Sequence, residues 1–171
     1  FKNPNCICFV DNCYGEFVDS KEPTEVGADL MAGSLIKNPG GGIVEAGGYI
    51  AGKELLVERA ATRLTAPGIG SEGGAMFNQH RLMFQGFFMA PSVVADAVKG
   101  AILASKIFDE IGYDSSPKYN EKRTDIIQNI TFGAPEPLEK FCRTIQSLSP
   151  INGYVTPIPE YIPGYEDQVI M

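Results

Sequence analysis

The chain has no block of basic residues, and no apolar run reaches the roughly 20 residues needed to cross a bilayer. With a formal net charge of -7, the first absence removes the electrostatic footprint of a nucleic-acid binder and gives no support for binding an anionic membrane surface. The second argues against a membrane span. No apolar stretch of signal-peptide length stands behind Phe1-Lys-Asn-Pro, so a cytoplasmic location is expected. Histidine occurs once, at His80, and cysteine four times, at Cys6, Cys8, Cys13 and Cys142. Cys-x-Cys is too tight for a zinc knuckle and His80 is distant in sequence, so no metal site is expected. On a strand Cys6 and Cys8 share a face, which marks both as small core residues. There is no internal repeat and no low-complexity segment.

What is present describes a globular chain. Its 171 residues are 44% hydrophobic and 20% charged, enough for one domain or parts of two. Apolar runs predict strands near Asn5–Asp11, Asp29–Leu35 and Gly48–Ala51. Asn38-Pro-Gly-Gly-Gly42 forces an irregular turn. Helical spacing predicts a helix over Lys53–Leu64, a second, apolar on most sides, over Glu72–Met89, and a third opened by Pro91 and stopped by Gly112. A strand is expected over Asp125–Phe132, and Leu138, Phe141, Cys142, Ile145 and Leu148 form the stripe of a last helix. Pro150, Pro157, Pro159 and Pro163 mark the tail as loop or edge structure. Alternating strands and helices imply an α/β architecture with a mainly parallel sheet.

In such sheets ligands sit beyond the carboxyl ends of strands. Asp11 ends the apolar run Cys6-Ile-Cys-Phe-Val10. Lys37 follows Ala28–Ile36 and stands among small residues and glycines. A strand-end carboxylate and a strand-end lysine suit pyridoxal 5'-phosphate (PLP). That cofactor needs a lysine for its Schiff base and a carboxylate to keep its pyridine nitrogen protonated.

These residues also carry a resemblance. Val10-Asp-Asn-Cys-Tyr-Gly-Glu-Phe17, Gly27–Gly42, Leu64-Thr-Ala-Pro-Gly-Ile-Gly70 and Gly153-Tyr-Val-Thr-Pro-Ile-Pro159 resemble the methionine gamma-lyase family, in particular its aluminium-resistance group. The resemblance implies fold type I of the PLP enzymes. Residues 1–90 would be part of a large cofactor domain, and 91–171 a linking helix and part of a smaller C-terminal α/β domain. It implies elimination from a small, sulfur-containing amino acid in a homodimer or homotetramer, with transamination or replacement as alternatives. It makes Lys37 and Asp11 catalytic, places the Ser34 hydroxyl on the cofactor phosphate, and puts Tyr14 beside the cofactor. Where gamma-lyase relatives read Asp-Asn-Thr, this chain reads Asp11-Asn-Cys-Tyr14. Family members are longer, so an internal fragment is expected. The phosphate-binding helix start would lie upstream and the arginine for the substrate carboxylate downstream.

Other motifs compete. Gly47-Gly-Tyr-Ile-Ala-Gly-Lys53 resembles a phosphate loop, but Glu54 stands where Ser or Thr is needed. Ser34-Leu-Ile-Lys37 fits a serine-lysine acyl hydrolase, but the Ser-Asp-Asn and Lys-Thr-Gly partners are missing. A non-enzymatic scaffold is the remaining alternative. His80 reads as a packed or interface residue, Arg63 as a surface residue, and the apolar segment Met76–Met89 as a contact surface between subunits.

Overall fold

Three apolar runs build the sheet that carries the candidate residues. β1 (Phe9–Asp11) pairs in parallel with β2 (Leu30–Ser34), with Asp11 opposite Ala32, and β2 pairs antiparallel with β3 (Gly48–Gly52). The structure, a computed structural model, describes residues 3–164 and 166. It forms two compact units. One takes residues up to Lys106 together with Pro117–Gln128, and the other takes Ile107–Ser116 together with residues from Asn129 onward.

The expected mainly parallel sheet is corrected here. Among the described residues one strand pairing is parallel and two are antiparallel. The connection Leu35–Gly47 is a glycine-rich turn with no crossover helix, so β3 returns antiparallel beside β2. β1 is also shorter and less buried than its apolar run suggests. It starts at Phe9, whose side chain is 58% exposed, and Cys6 and Cys8 before it are exposed rather than core residues. The phosphate-loop-like run is strand β3, and Lys53 at its end forms an ion pair with Asp29. Asp29 in turn accepts the Cys8 N–H at 2.7 Å, which fastens the approach to β1.

α1 (Glu54–Leu64) forms where its spacing predicts. The two helices expected around Pro91 are instead one, α2 (His80–Glu110), while residues 73–79 are irregular. An internal proline removes one hydrogen bond and crowds the preceding turn, at a cost of about 3 kcal/mol. Buried small residues on both sides of Pro91 offset it: Gly86, Ala90 and Val94 form one buried stripe at a spacing of four. Gly86 is required there, because a β-carbon on it would collide with the backbone of Gly40. Joined in this way, α2 is long and apolar enough by length and composition to cross a membrane, its most apolar 18-residue window having mean hydropathy 1.5. Arg81, Asp96, Lys99 and Lys106 interrupt it, so it is a helix of that length and not an unbroken apolar run.

The second unit has its own core. β4 (Asp114–Ser116) pairs antiparallel with β5 (Asn129–Thr131), and α3 (Pro135–Leu148) follows. Rings of Phe108, Tyr113, Phe132 and Phe141 meet edge-on or tilted, with centroids 5.0 to 6.1 Å apart. The strand expected from Asp125 starts only at Asn129, since the Asp125 carboxylate accepts the Ile127 N–H at 2.8 Å and makes a turn. The described residues beyond α3 form turns, bends and one isolated bridge, as their prolines require.

Candidate functional site

The parallel pairing of β1 and β2 brings their carboxyl ends to one edge of the sheet. β1 delivers Asp11, whose Oδ1 accepts the Cys13 N–H at 3.1 Å. That hydrogen bond above all, with smaller help from the Cys13 side chain and the Lys37 charge, holds the Asp11 carboxyl below its ordinary 3.8. Lys37 stands just past β2, at the start of the turn Asn38–Gly40. Its Nζ lies over the Tyr14 ring, 4.2 Å from the centroid. Interaction with the Tyr14 side chain is the main cause that raises the lysine above its ordinary 10.5. The site thus presents an ammonium group and a carboxylate. Tyr14 itself has φ 73°, a backbone region uncommon outside glycine that costs about 1 to 3 kcal/mol. The chain holds this strained residue where it meets the lysine.

The structure thus gathers Asp11, Cys13, Tyr14 and Lys37. Ser34 closes β2, and its Oγ accepts a long hydrogen bond from the Ile36 N–H at 3.4 Å. Arg63 and His80 are exposed, His80 at the first position of α2. An open cleft of about 650 Å³ borders Asp11, lined also by Asn12, Cys13, Lys122 and Asp125. Its size suits a small-molecule ligand.

Beneath this edge lies a polar network that the sequence did not reveal. Asn12, Glu16 and Asn38 are only 4 to 7% exposed. The Asn12 amide donates to Glu22 at 2.8 Å and to the Tyr49 hydroxyl at 3.3 Å, and that hydroxyl donates to Glu16 Oε1 at 2.8 Å. The Asn38 amide donates to the Glu16 backbone carbonyl at 3.0 Å. Burial pushes the Glu16 carboxyl above its ordinary 4.5, and burial with the Glu16 contact pushes the Tyr49 phenol upward too. Glu16 Oε2 is buried without a hydrogen-bond partner. Gly33 is a sequence trace of this packing: a β-carbon there would strike the Glu16 carboxylate and the Tyr49 ring.

Comparison with known proteins identifies the family of the chain. The family model for methionine gamma-lyase matches residues 1–171. An uncharacterized protein, YnbB, from Bacillus subtilis is 54% identical over 169 residues, which are 99% of this chain and 40% of that protein. A crystal structure of a candidate cystathionine beta-lyase involved in aluminum resistance, from Listeria monocytogenes, superposes with TM-score 0.92 at 53% identity, covering 98% of this chain and 41% of that one. A carbon-sulfur lyase involved in aluminum resistance from Clostridium novyi gives TM-score 0.86 at 56% identity, over 90% of this chain and 37% of its own. This chain therefore spans about two fifths of the length of these relatives. Its sequence over all 171 residues and its backbone both place it in the methionine gamma-lyase family.

Proposed function

We propose that the chain is part of a PLP-dependent carbon-sulfur lyase that eliminates the sulfur group of a sulfur-containing amino acid. The observation that carries this reading is the placement of Lys37 and Asp11 at the ends of adjacent parallel strands, with the Tyr14 ring against the lysine amine. The donor set fits the cofactor: one amine for covalent anchorage, one carboxylate that stays ionised at neutral pH, and one aromatic ring beside them. When bound, PLP supplies an electron sink for charge that develops at the substrate α-carbon. Lys37 would hold the cofactor through Nζ, and its free amine would serve as the base that takes the substrate α-proton. Asp11, held ionised by its Cys13 hydrogen bond, keeps a proton on the pyridine nitrogen. The Tyr14 ring walls the site, and the Ser34 hydroxyl is a donor for the phosphate.

The same reading extends to the whole protein. We assign residues 1–90 to a large cofactor domain and 91–171 to part of a smaller domain of a fold type I enzyme working in the cytoplasm, with α2, which runs through that boundary, as the linking helix. Asp96 and Lys99 sit near the middle of α2 and pair at 2.9 Å. A charge at the centre of a membrane helix costs about 2.5 to 3.5 kcal/mol, which favours protein rather than lipid as the cover for this helix. Exposed Phe84, Phe87 and Phe88 on α2 then suit a homodimer or homotetramer contact.

The test is attachment. In the complete polypeptide, borohydride should fix PLP onto Lys37, read by peptide mass mapping, and Lys37→Ala should abolish both the adduct and thiol release. An adduct on another lysine, or none, removes the assignment.

A further inference from the structure

We propose that Glu16 is a positioning residue that locks Asp11 and Lys37 into one geometry. The proposal rests on the reading of that pair as the cofactor site. Each member of the pair is followed by a buried asparagine, Asn12 and Asn38. The Asn38 amide reaches the Glu16 backbone carbonyl at 3.0 Å. The Asn12 amide reaches the Tyr49 hydroxyl at 3.3 Å, and Tyr49 passes the contact to Glu16 Oε1 at 2.8 Å. A second arm from Asn12 goes to Glu22 at 2.8 Å. One residue is thus reached from the loop after β1 and from the turn after β2.

The surrounding packing leaves this clamp little slack. Gly33 admits the Glu16 carboxylate and the Tyr49 ring side by side, where a β-carbon would collide with both. Gly15 admits the Asn12 side chain, whose Oδ1 would lie 2.7 Å from a β-carbon there. Hydrogen bonds taken out of water are directional and expensive to leave unmade. Each arm therefore fixes the backbone next to a reacting residue. Glu16 acts through Asn12, Tyr49 and Asn38, and so positions the site without joining the chemistry.

The experiment uses the complete protein, first free of ligand. Backbone hydrogen exchange is followed over residues 11–17 and 35–42 in wild type, Tyr49→Phe and Glu16→Gln. Tyr49→Phe should speed exchange in both segments together and weaken PLP retention about tenfold, the equivalent of one buried hydrogen bond. Glu16→Gln keeps an acceptor for Tyr49 and should keep both segments slow. Loosening confined to β3, or equal loosening in Glu16→Gln, overturns the clamp. Asn38→Ala cuts the opposite arm and should loosen residues 11–17 from a distance; it decides the question if Tyr49→Phe does not fold. A wild-type protein that takes no PLP on Lys37, yet shows coupled loosening in the variants, would remove the functional reading and leave the clamp standing.

Discussion

Around the ends of β1 and β2, buried Asn12, Glu16 and Asn38 and half-buried Tyr49 hydrogen-bond to one another or to a neighbour's backbone. In the second unit Phe108, Tyr113, Phe132 and Phe141 meet ring against ring. Aromatic contacts bury area and add about 0.5 to 1.5 kcal/mol per pair, with tolerant geometry. A buried polar network is directional, and a partly satisfied one is costly. The first arrangement sets positions, while the second supplies stability. The proposed chemistry lies beside the first.

Mutations can sharpen that contrast. The largest effect should come from Asp11→Asn in the complete enzyme. The cofactor should still attach at Lys37, because the amine is untouched. Turnover should fall by several kcal/mol of transition-state stabilisation, roughly 10² to 10³-fold, as for other charged contacts aimed at developing charge. Near-normal thiol release would take Asp11 out of the mechanism.

Phe141→Ala should act on stability alone. The ring is half-buried among Phe108 and Phe132, so a loss of about 2 kcal/mol is expected, below the range for fully buried phenylalanine. Urea unfolding measures the loss, and borohydride labelling of Lys37 should be unchanged. Weakened labelling at full folding would blur the division between the two regions.

The smallest effect is a pH dependence. Burial raises the Glu16 carboxyl above 4.5, so the folded state holds a proton that the unfolded chain releases. Stability linked to Glu16 is therefore greatest below the unfolded value and declines as pH rises through the folded value. Glu16→Gln carries no such proton. Its unfolding midpoint should gain on wild type as pH rises from about 4.5, and parallel pH profiles would contradict the raised carboxyl.

The candidate pair, Asp11 and Lys37, could be picked out because each follows an apolar run, and strand ends are where an α/β sheet offers groups to a ligand. α1 and α3 were legible from their stripes. The through-helix at Pro91 was not, because the offset comes from Gly86 and Val94 packing and leaves no local mark against a helix start. The parallel-sheet expectation failed at β3, where the direction of return depends on a short glycine-rich connection. Glu16 and Tyr49 escaped notice for a different reason. A buried carboxylate has no periodic signature, and its partner is far along the chain. Gly33 was visible, but only the fold shows which side chains fill the space it leaves.

The meeting of Gly40, Gly41 and Gly86 has an evolutionary consequence. A β-carbon on Gly86 would meet the backbone of Gly40, and one on Gly41, at φ 55°, would meet the backbone of Gly86. Neither obstacle is a side chain, so no second substitution can make room. Ordinary compensation, in which one partner shrinks as the other grows, is closed to these positions. Descendants of this sequence should inherit the glycines together or rebuild the turn that carries Lys37, and a lineage that has lost one of them should show a different path between Ser34 and Gly48.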